Sequence, residues 1–155
     1  MLTIRFVLRD PSLVPLSRQH HDALALCVLT ERALDSDASE EAVRELARRV
    51  KDHFELEVAN HFALEEELLF PALRDSGEAP LIEELLADHC RLKEIVERLR
   101  HTASPEWLRQ FTSLLRAHIR REENELFEQA QQTLPREILD RLGEQFSARA
   151  VRICL

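Results

Sequence analysis

Two stretches, HFALEEELLF from His61 and HIRREENELF from His118, share a histidine, then two glutamates, then Leu-Phe at the same intervals, while most positions between them differ. Phe54 and Phe111 precede the two histidines by the same distance, so the common pattern is Phe-x6-His-x3-Glu-Glu-x2-Leu-Phe. Residues four apart differ by about 40° around a helix and about 6 Å along it. His61 and Glu65 therefore project from one stripe, as do His118 and Glu122. The second glutamates, Glu66 and Glu123, swing about 140° away from the histidines, which makes them outer partners or surface residues rather than ligands.

A chain built on this repeat has to be helical, and the rest of it agrees. Of 155 residues, 45% are apolar and 32% charged, with two glycines and no tyrosine, a composition suited to helices with apolar stripes and not to a turn-rich sheet protein. The length is that of one domain, 1–155. Asp37-Ala-Ser-Glu40 resembles a capping box, Gly77 and Pro80 bracket a break, and Ser104-Pro105-Glu106 reads as an N-cap with proline at the first helical position. These breaks predict helices over 15–34, 39–73, 80–101 and 105–133, with a shorter fifth after Pro135 interrupted or ended near Gly143. Connections of roughly three to seven residues make successive helices antiparallel neighbours. The expected fold is all-α, an up-down-up-down four-helix bundle with a bundle core over about 13–133. The leading LTIRFVL alternates like a strand that has no partner, and is expected to lie on the bundle as an extended arm.

The other two helices carry a weaker pair, Leu16-Ser-Arg-Gln-His20 and Leu85-Leu-Ala-Asp-His89, both Leu-x2-polar-His. His89 lies in the apolar stripe of Ile82, Leu85, Leu86, Leu92, Val96 and Leu99, which must face the interior. Burying four imidazoles and two carboxylates unpaired would cost several kcal/mol per group. A bound cation offsets that cost, and neutral imidazole with carboxylate suits iron, zinc or manganese. A single His-x3-Glu usually means an intrahelical pair on a solvated face. Two in register, with interior histidines on both remaining helices, point instead to a metal site of His20, His61, Glu65, His89, His118 and Glu122.

Several residues compete with that set or flank it. His21 adjoins His20, whose stripe is the more apolar of the two, with Leu13, Leu16, Ala23, Leu24 and Cys27. His53 and Glu57 extend the series His53, Glu57, His61, Glu65 along one helix, but their counterparts in the repeat are Gln110 and Leu114. They read as structural or outer residues, with contact between Glu57 and metal left open. His101 ends the third helix, where a cation meets the helix dipole favourably. Cys27 and Cys90 read as packing residues, and Trp107 and the phenylalanines as core or helix-junction residues, with Phe54 and Phe111 placed to shield the site from water.

From Leu13 to about Phe127 the joint pattern resembles the hemerythrin-like HHE cation-binding domains. The resemblance implies a non-haem di-iron centre, with His20 and His61 on one iron, His89 and His118 on the other, and Glu65 and Glu122 bridging. The chain departs from the oxygen carriers of that family in one place. Their third helix supplies two histidines four apart, whereas here Lys93 stands at that interval from His89. Six protein ligands in place of seven leave the centre open, so oxidation by oxygen is expected rather than reversible oxygen carriage. Ferritin-like bundles need Glu-x-x-His twice, and no glutamate stands three residues before any histidine. No HExxH occurs either, which removes the zincin proteases.

The function expected is therefore binding of, or reaction with, a small molecule such as O2, NO or peroxide, in sensing, scavenging or iron handling. A mononuclear or zinc-binding regulatory bundle and a metal-free interaction bundle are the alternatives. With a net charge of -8 and basic residues scattered among acidic ones, no basic face exists to neutralise a nucleic-acid backbone. No long uncharged apolar run or standard export signal is present, and three cysteines without a CxxC pair suit a reducing cytoplasm. Neither a redox partner nor an oligomeric state can be read from the residues.

Overall fold

The computed structural model describes residues 8–153. Most of the expected amino-terminal arm, residues 2–7, lies outside the described residues, as does Cys154. A 3-10 turn, Pro11–Leu13, leads into helix α1, Val14–Ser36. Helix α2 spans 40–73 as one continuous rod, with α-helical segments Glu40–His53, Ala59–Leu64 and Phe70–Leu73 joined by π turns at Phe54–Val58 and Glu65–Leu69. Helix α3 is Ala79–His101. Helix α4 spans 105–133, with a π turn at Glu122–Leu126 between Pro105–Arg121 and Phe127–Thr133. Helix α5 is Arg136–Arg149, and no strand occurs among the described residues.

The breaks fall where the capping chemistry puts them. Ser104 accepts a hydrogen bond from the Trp107 amide, and Gly77 takes a left-handed φ of 88° that a side chain would disfavour. The expected box of Asp37 and Glu40 is replaced by a relay. Asp37 accepts from the Ser39 amide, and Ser39 is the N-cap that accepts from the Ala42 amide.

Helix α1 packs on α2 and α4, and α3 packs on the same two, which closes a four-helix ring. Cross-links fix the directions. Asp35 near the end of α1 meets Arg109 near the start of α4 at 3.0 Å, while Ser17 near the start of α1 bonds Glu123 late in α4 at 2.8 Å. Glu84 and Arg98 on α3 likewise meet Arg121 and Trp107 on α4 in reversed order. Two apolar clusters fill the ring. One holds Phe54, Phe62, Leu92, Phe111 and Ile119, and the other Leu16, Leu69, Phe70, Leu85 and Phe127. The buried histidines and glutamates lie among both sets. None of the described helices is long and apolar enough to cross a membrane.

Helix α5 differs from the expectation, because it runs through Gly143 unbroken. The glycine serves proximity and not termination. A Cβ built there would stand 2.8 Å from the Cα of Ser12, so α5 can lie against the 3-10 turn only without a side chain at this position. Arg136 on α5 grips Asp10 with both terminal nitrogens, at 2.7 and 2.9 Å, while Phe146 and Leu142 enter the second apolar cluster. In Gly143→Ala the helix propensity improves by about 1 kcal/mol, but the clash with backbone costs about 1–3 kcal/mol. The expected outcome is a lower melting temperature by calorimetry, where an exposed mid-helix glycine would show a higher one.

Candidate metal centre

The four histidines and two glutamates of the repeat converge at one level of the bundle, none more than 4% exposed. Two groups form, His20, His61, Glu65 and Glu122, and His89, His118, Glu65 and Glu122, with the candidate ligand atoms of each group within 4.8 Å of one another. Both carboxylates belong to both groups because each faces two ways. Glu65 turns Oε1 to His61 Nε2 at 3.0 Å and Oε2 to His89 Nε2 at 3.3 Å. Glu122 turns Oε2 to His20 Nε2 at 2.8 Å and Oε1 to His118 Nε2 at 2.8 Å. His20 is inside the cluster and its neighbour His21 is exposed.

The outer nitrogens of the four rings are held one by one. His20 Nδ1 meets Glu123 at 2.6 Å, His61 Nδ1 meets Gln19 at 2.9 Å, His89 Nδ1 meets Glu66 at 2.8 Å and His118 Nδ1 meets Asp88 at 3.1 Å. Every one of these partners offers an acceptor oxygen, so Nδ1 carries the proton in neutral imidazole and Nε2 is left bare toward the centre. The assignment is the same under the approximate twofold symmetry of the repeat. The polar residue just before each histidine of α1 and α3 (Gln19, Asp88) orients the histidine of α2 or α4. The second glutamate of α2 and α4 (Glu66, Glu123) orients the histidine of α3 or α1.

The last residue of the repeat has its own place. Phe70 stacks on His89 at 5.7 Å and Phe127 on His20 at 5.2 Å, the same rings that Glu66 and Glu123 hold. Phe62 stacks on His89 at 3.7 Å. Phe62, Phe70 and Phe127 thus cover the histidines, whereas Phe54 and Phe111 pack edge-on to each other at 6.3 Å, with Phe54 also against Phe62. Cys90 also differs from expectation. It is exposed, while Cys27 is buried in the first apolar cluster.

A π turn begins at each central glutamate, closed by the bond from the Phe70 amide to the Glu65 carbonyl and from the Phe127 amide to that of Glu122. Pro71 follows the first, but Glu128 stands at its counterpart, so proline is not the cause. An i to i+5 turn takes more residues per revolution than an α turn. Glu66 and Glu123, the next residue in each turn, face the histidines of the neighbouring helices as outer partners of the rings.

Charge is arranged to match. Glu123 is backed by Arg9 at 2.7 Å, Asp88 by Arg121, and Glu66 by Lys93 at 3.6 Å. Lys93 thus sits half-exposed beside an outer glutamate. Burial by itself would lower the His61 and His118 pKa values, but the carboxylates of Glu65 and Glu122 overcome it and hold both at about 10. Glu122 is correspondingly held well below its usual range against the penalty of burial, by His118, His20 and His61. Even so, His89 Nε2, His118 Nε2, both oxygens of Glu65 and Oε1 of Glu122 face their neighbours at 2.8 to 3.3 Å without hydrogen-bond geometry. Buried acceptors left so poorly paired are costly, and a cation at the centre of each group would take up their lone pairs together.

His53 and Glu57 lie outside both groups although they are as deeply buried as the six. His101 is exposed, one turn beyond Glu97 and within 3.1 Å of it. Because His61 and His118 bind protons more tightly folded than unfolded, their contribution to metal-free stability is complete below about pH 6.5 and is lost as pH rises through about 10. The melting temperature of chelator-treated protein should therefore fall between about pH 7 and about pH 10, and fall less steeply in the double variant His61→Gln, His118→Gln.

A family model described as the hemerythrin HHE cation binding domain matches residues 14–130. No curated protein and no solved structure matches the chain.

Proposed function

We propose that this chain, a member of the hemerythrin HHE cation-binding domain family, holds two iron ions and uses them to bind or react with a small molecule such as O2, NO or peroxide. The observation that carries this is the two-way aim of Glu65 and Glu122, each with one oxygen toward His20 and His61 and the other toward His89 and His118. A lone cation needs no such arrangement, whereas a pair needs carboxylates shared between two histidine sets. In this reading His20 and His61 would hold one ion and His89 and His118 the other, with Glu65 and Glu122 offering an oxygen to each.

A bound iron pair would supply redox chemistry and open coordination positions; the chain supplies orientation and dryness. The Nδ1 bonds fix each ring, the carboxylates neutralise positive charge, and Phe62, Phe70 and Phe127 exclude water from the histidine faces. Lys93 is drawn to Glu66 at the rim, which leaves six protein ligands and room for an exogenous one. The free thiols of Cys27 and Cys90 suit work in a reducing cytoplasm. Zinc or manganese could occupy the same donors, and elemental analysis separates these outcomes. A metal-free interaction bundle is disfavoured by the orphaned atoms at the centre.

Protein produced with ample iron should contain two irons per chain with intense near-ultraviolet absorption, and His61→Ala with His118→Ala should remove both. No metal in the wild type, or full metal in the double variant, would overturn the proposal. Because the ligands come from all four helices, metal at a thousandfold excess over its dissociation constant should stabilise the fold by about 4 kcal/mol, which chelation should reverse. Glu123→Ala should weaken metal binding by about 10–100-fold with the helical content intact. On exposure to oxygen, the reduced iron-loaded protein should pass to the diferric spectrum without recovering on removal of oxygen; stopped-flow and pressure-release measurements check this.

A further inference from the structure

Three of the four groups that hold the outer ring nitrogens are carboxylates, Glu66, Asp88 and Glu123. The fourth, Gln19, is an amide. A carboxylate presents an acceptor oxygen whichever way it turns, whereas an amide offers oxygen from one edge and N–H from the other. Turned over, Gln19 would aim N–H at His61 Nδ1. The ring would then carry its proton on Nε2, the atom that faces the centre, and would be closed to a cation. Gln19 is 2% exposed, so what sets its sense has to be the protein around it.

The sense is set by backbone from another part of the chain. Helix α5 ends at Arg149, and the chain continues extended from Ala150. The Val151 amide donates to Asn60 Oδ1 at 2.9 Å, and the Arg149 carbonyl accepts from Asn60 Nδ2 at 3.1 Å. A backbone N–H only donates and a carbonyl only accepts, which leaves the Asn60 side chain one orientation. Asn60 Oδ1 and the Val151 carbonyl, both acceptors, then face Gln19 Nε2 at 2.8 Å each. Gln19 has to meet them with its nitrogen, so Oε1 is left for His61 Nδ1 at 2.9 Å. Polarity passes from the backbone of 149–151 through Asn60 and Gln19 to the ring, and no link in that relay can reverse alone. Arg152 on Asp22 and the Ile153 amide on Glu57 tie down the residues that follow.

The other half of the repeat shows no such relay among the described residues. Ala117 stands before His118 where Asn60 stands before His61. The counterpart of Gln19 is Asp88, a carboxylate gripped by Arg121. His118 thus has its acceptor from a group that cannot be turned the wrong way, while His61 has one only as long as 149–151 is docked.

We propose that Asn60 is a positioning residue for the metal centre, and that through Gln19 it makes ion binding at His61 depend on the docking of residues 149–151. This deepens the two-ion reading and rests on it. Linkage is reciprocal, so an ion at His61 also holds the segment in place.

The probe is cobalt(II) titrated into chelator-treated protein, read by visible absorption and by hydrogen exchange at the Val151 amide. The wild type should bind two ions, and binding should slow exchange at Val151. Asn60→Leu, similar in size but without the relay, should bind one of the two about 10–100-fold more weakly, with fast exchange at Val151. Asn60→Asp keeps an acceptor for both the Val151 amide and Gln19 Nε2, and should stay near the wild type. The deciding variant combines Asn60→Leu with Gln19→Glu. Its carboxylate offers His61 an acceptor in either sense, so affinity should return although Val151 still exchanges fast. Full affinity in Asn60→Leu overturns the inference and leaves the two-ion reading standing. A double variant that binds no more tightly than Asn60→Leu also overturns it, by making the relay a matter of structure alone. A wild type that takes up no cobalt overturns both readings. Should Asn60→Leu fail to fold, the wild type decides: slower exchange at Val151 with cobalt supports the inference, and unchanged exchange overturns it.

Discussion

Everything in this bundle answers to the burial of six ionisable side chains at one level of a helical core. Imidazoles and carboxylates at that depth are tolerable only as a mutually neutralising set with every ring oriented. The set is assembled by exchange between neighbours: α1 holds a ring of α2 through Gln19, α2 holds one of α3 through Glu66, α3 holds one of α4 through Asp88, and α4 holds one of α1 through Glu123. The cycle passes once around the bundle. No helix can slide or rotate without releasing a histidine of the next, so the polar layer sets the register that apolar packing alone would leave loose.

The repeated motif thereby acquires a meaning for each of its fixed letters. Histidine and the first glutamate face the centre, the second glutamate grips the neighbouring helix's ring, leucine fills the second apolar cluster, and phenylalanine stacks on that same neighbouring ring. Positions between them face other surroundings in the two halves and are free to differ. The break at Glu57 and His53 is the exception, and two cavities lie beside it.

Helix number, order and ends were legible because caps, proline and the left-handed glycine act locally. The six central residues were legible because two copies in register exclude coincidence, and the apolar stripe favoured His20 over His21. What was not legible depended on departures from regular geometry or on distant chain segments. Helical spacing makes Glu66 and Glu123 outer partners, as they are, but the ring each one holds lies on another helix. Gln19 and Asp88 were visible as the polar letter of Leu-x2-polar-His, but their targets lie on other helices. Gly143 looked like a helix end because nothing near it in sequence reveals the approach of Ser12. Cys90, about 100° from His89 on the helix, reads as packing, but that direction carries it to the surface.

The π turn at Glu122–Leu126 holds one residue more than a regular helix would use. Straightening the same residues into an uninterrupted α-helix would give better backbone hydrogen bonds. It would also rotate all that follows by about 100° relative to His118, carrying Phe127 off the ring of His20. The chain at this point forgoes a sounder helix to keep its centre. A local defect of that sort persists only under a demand placed on the assembled whole, and here that demand is the set of side chains gathered around Glu122.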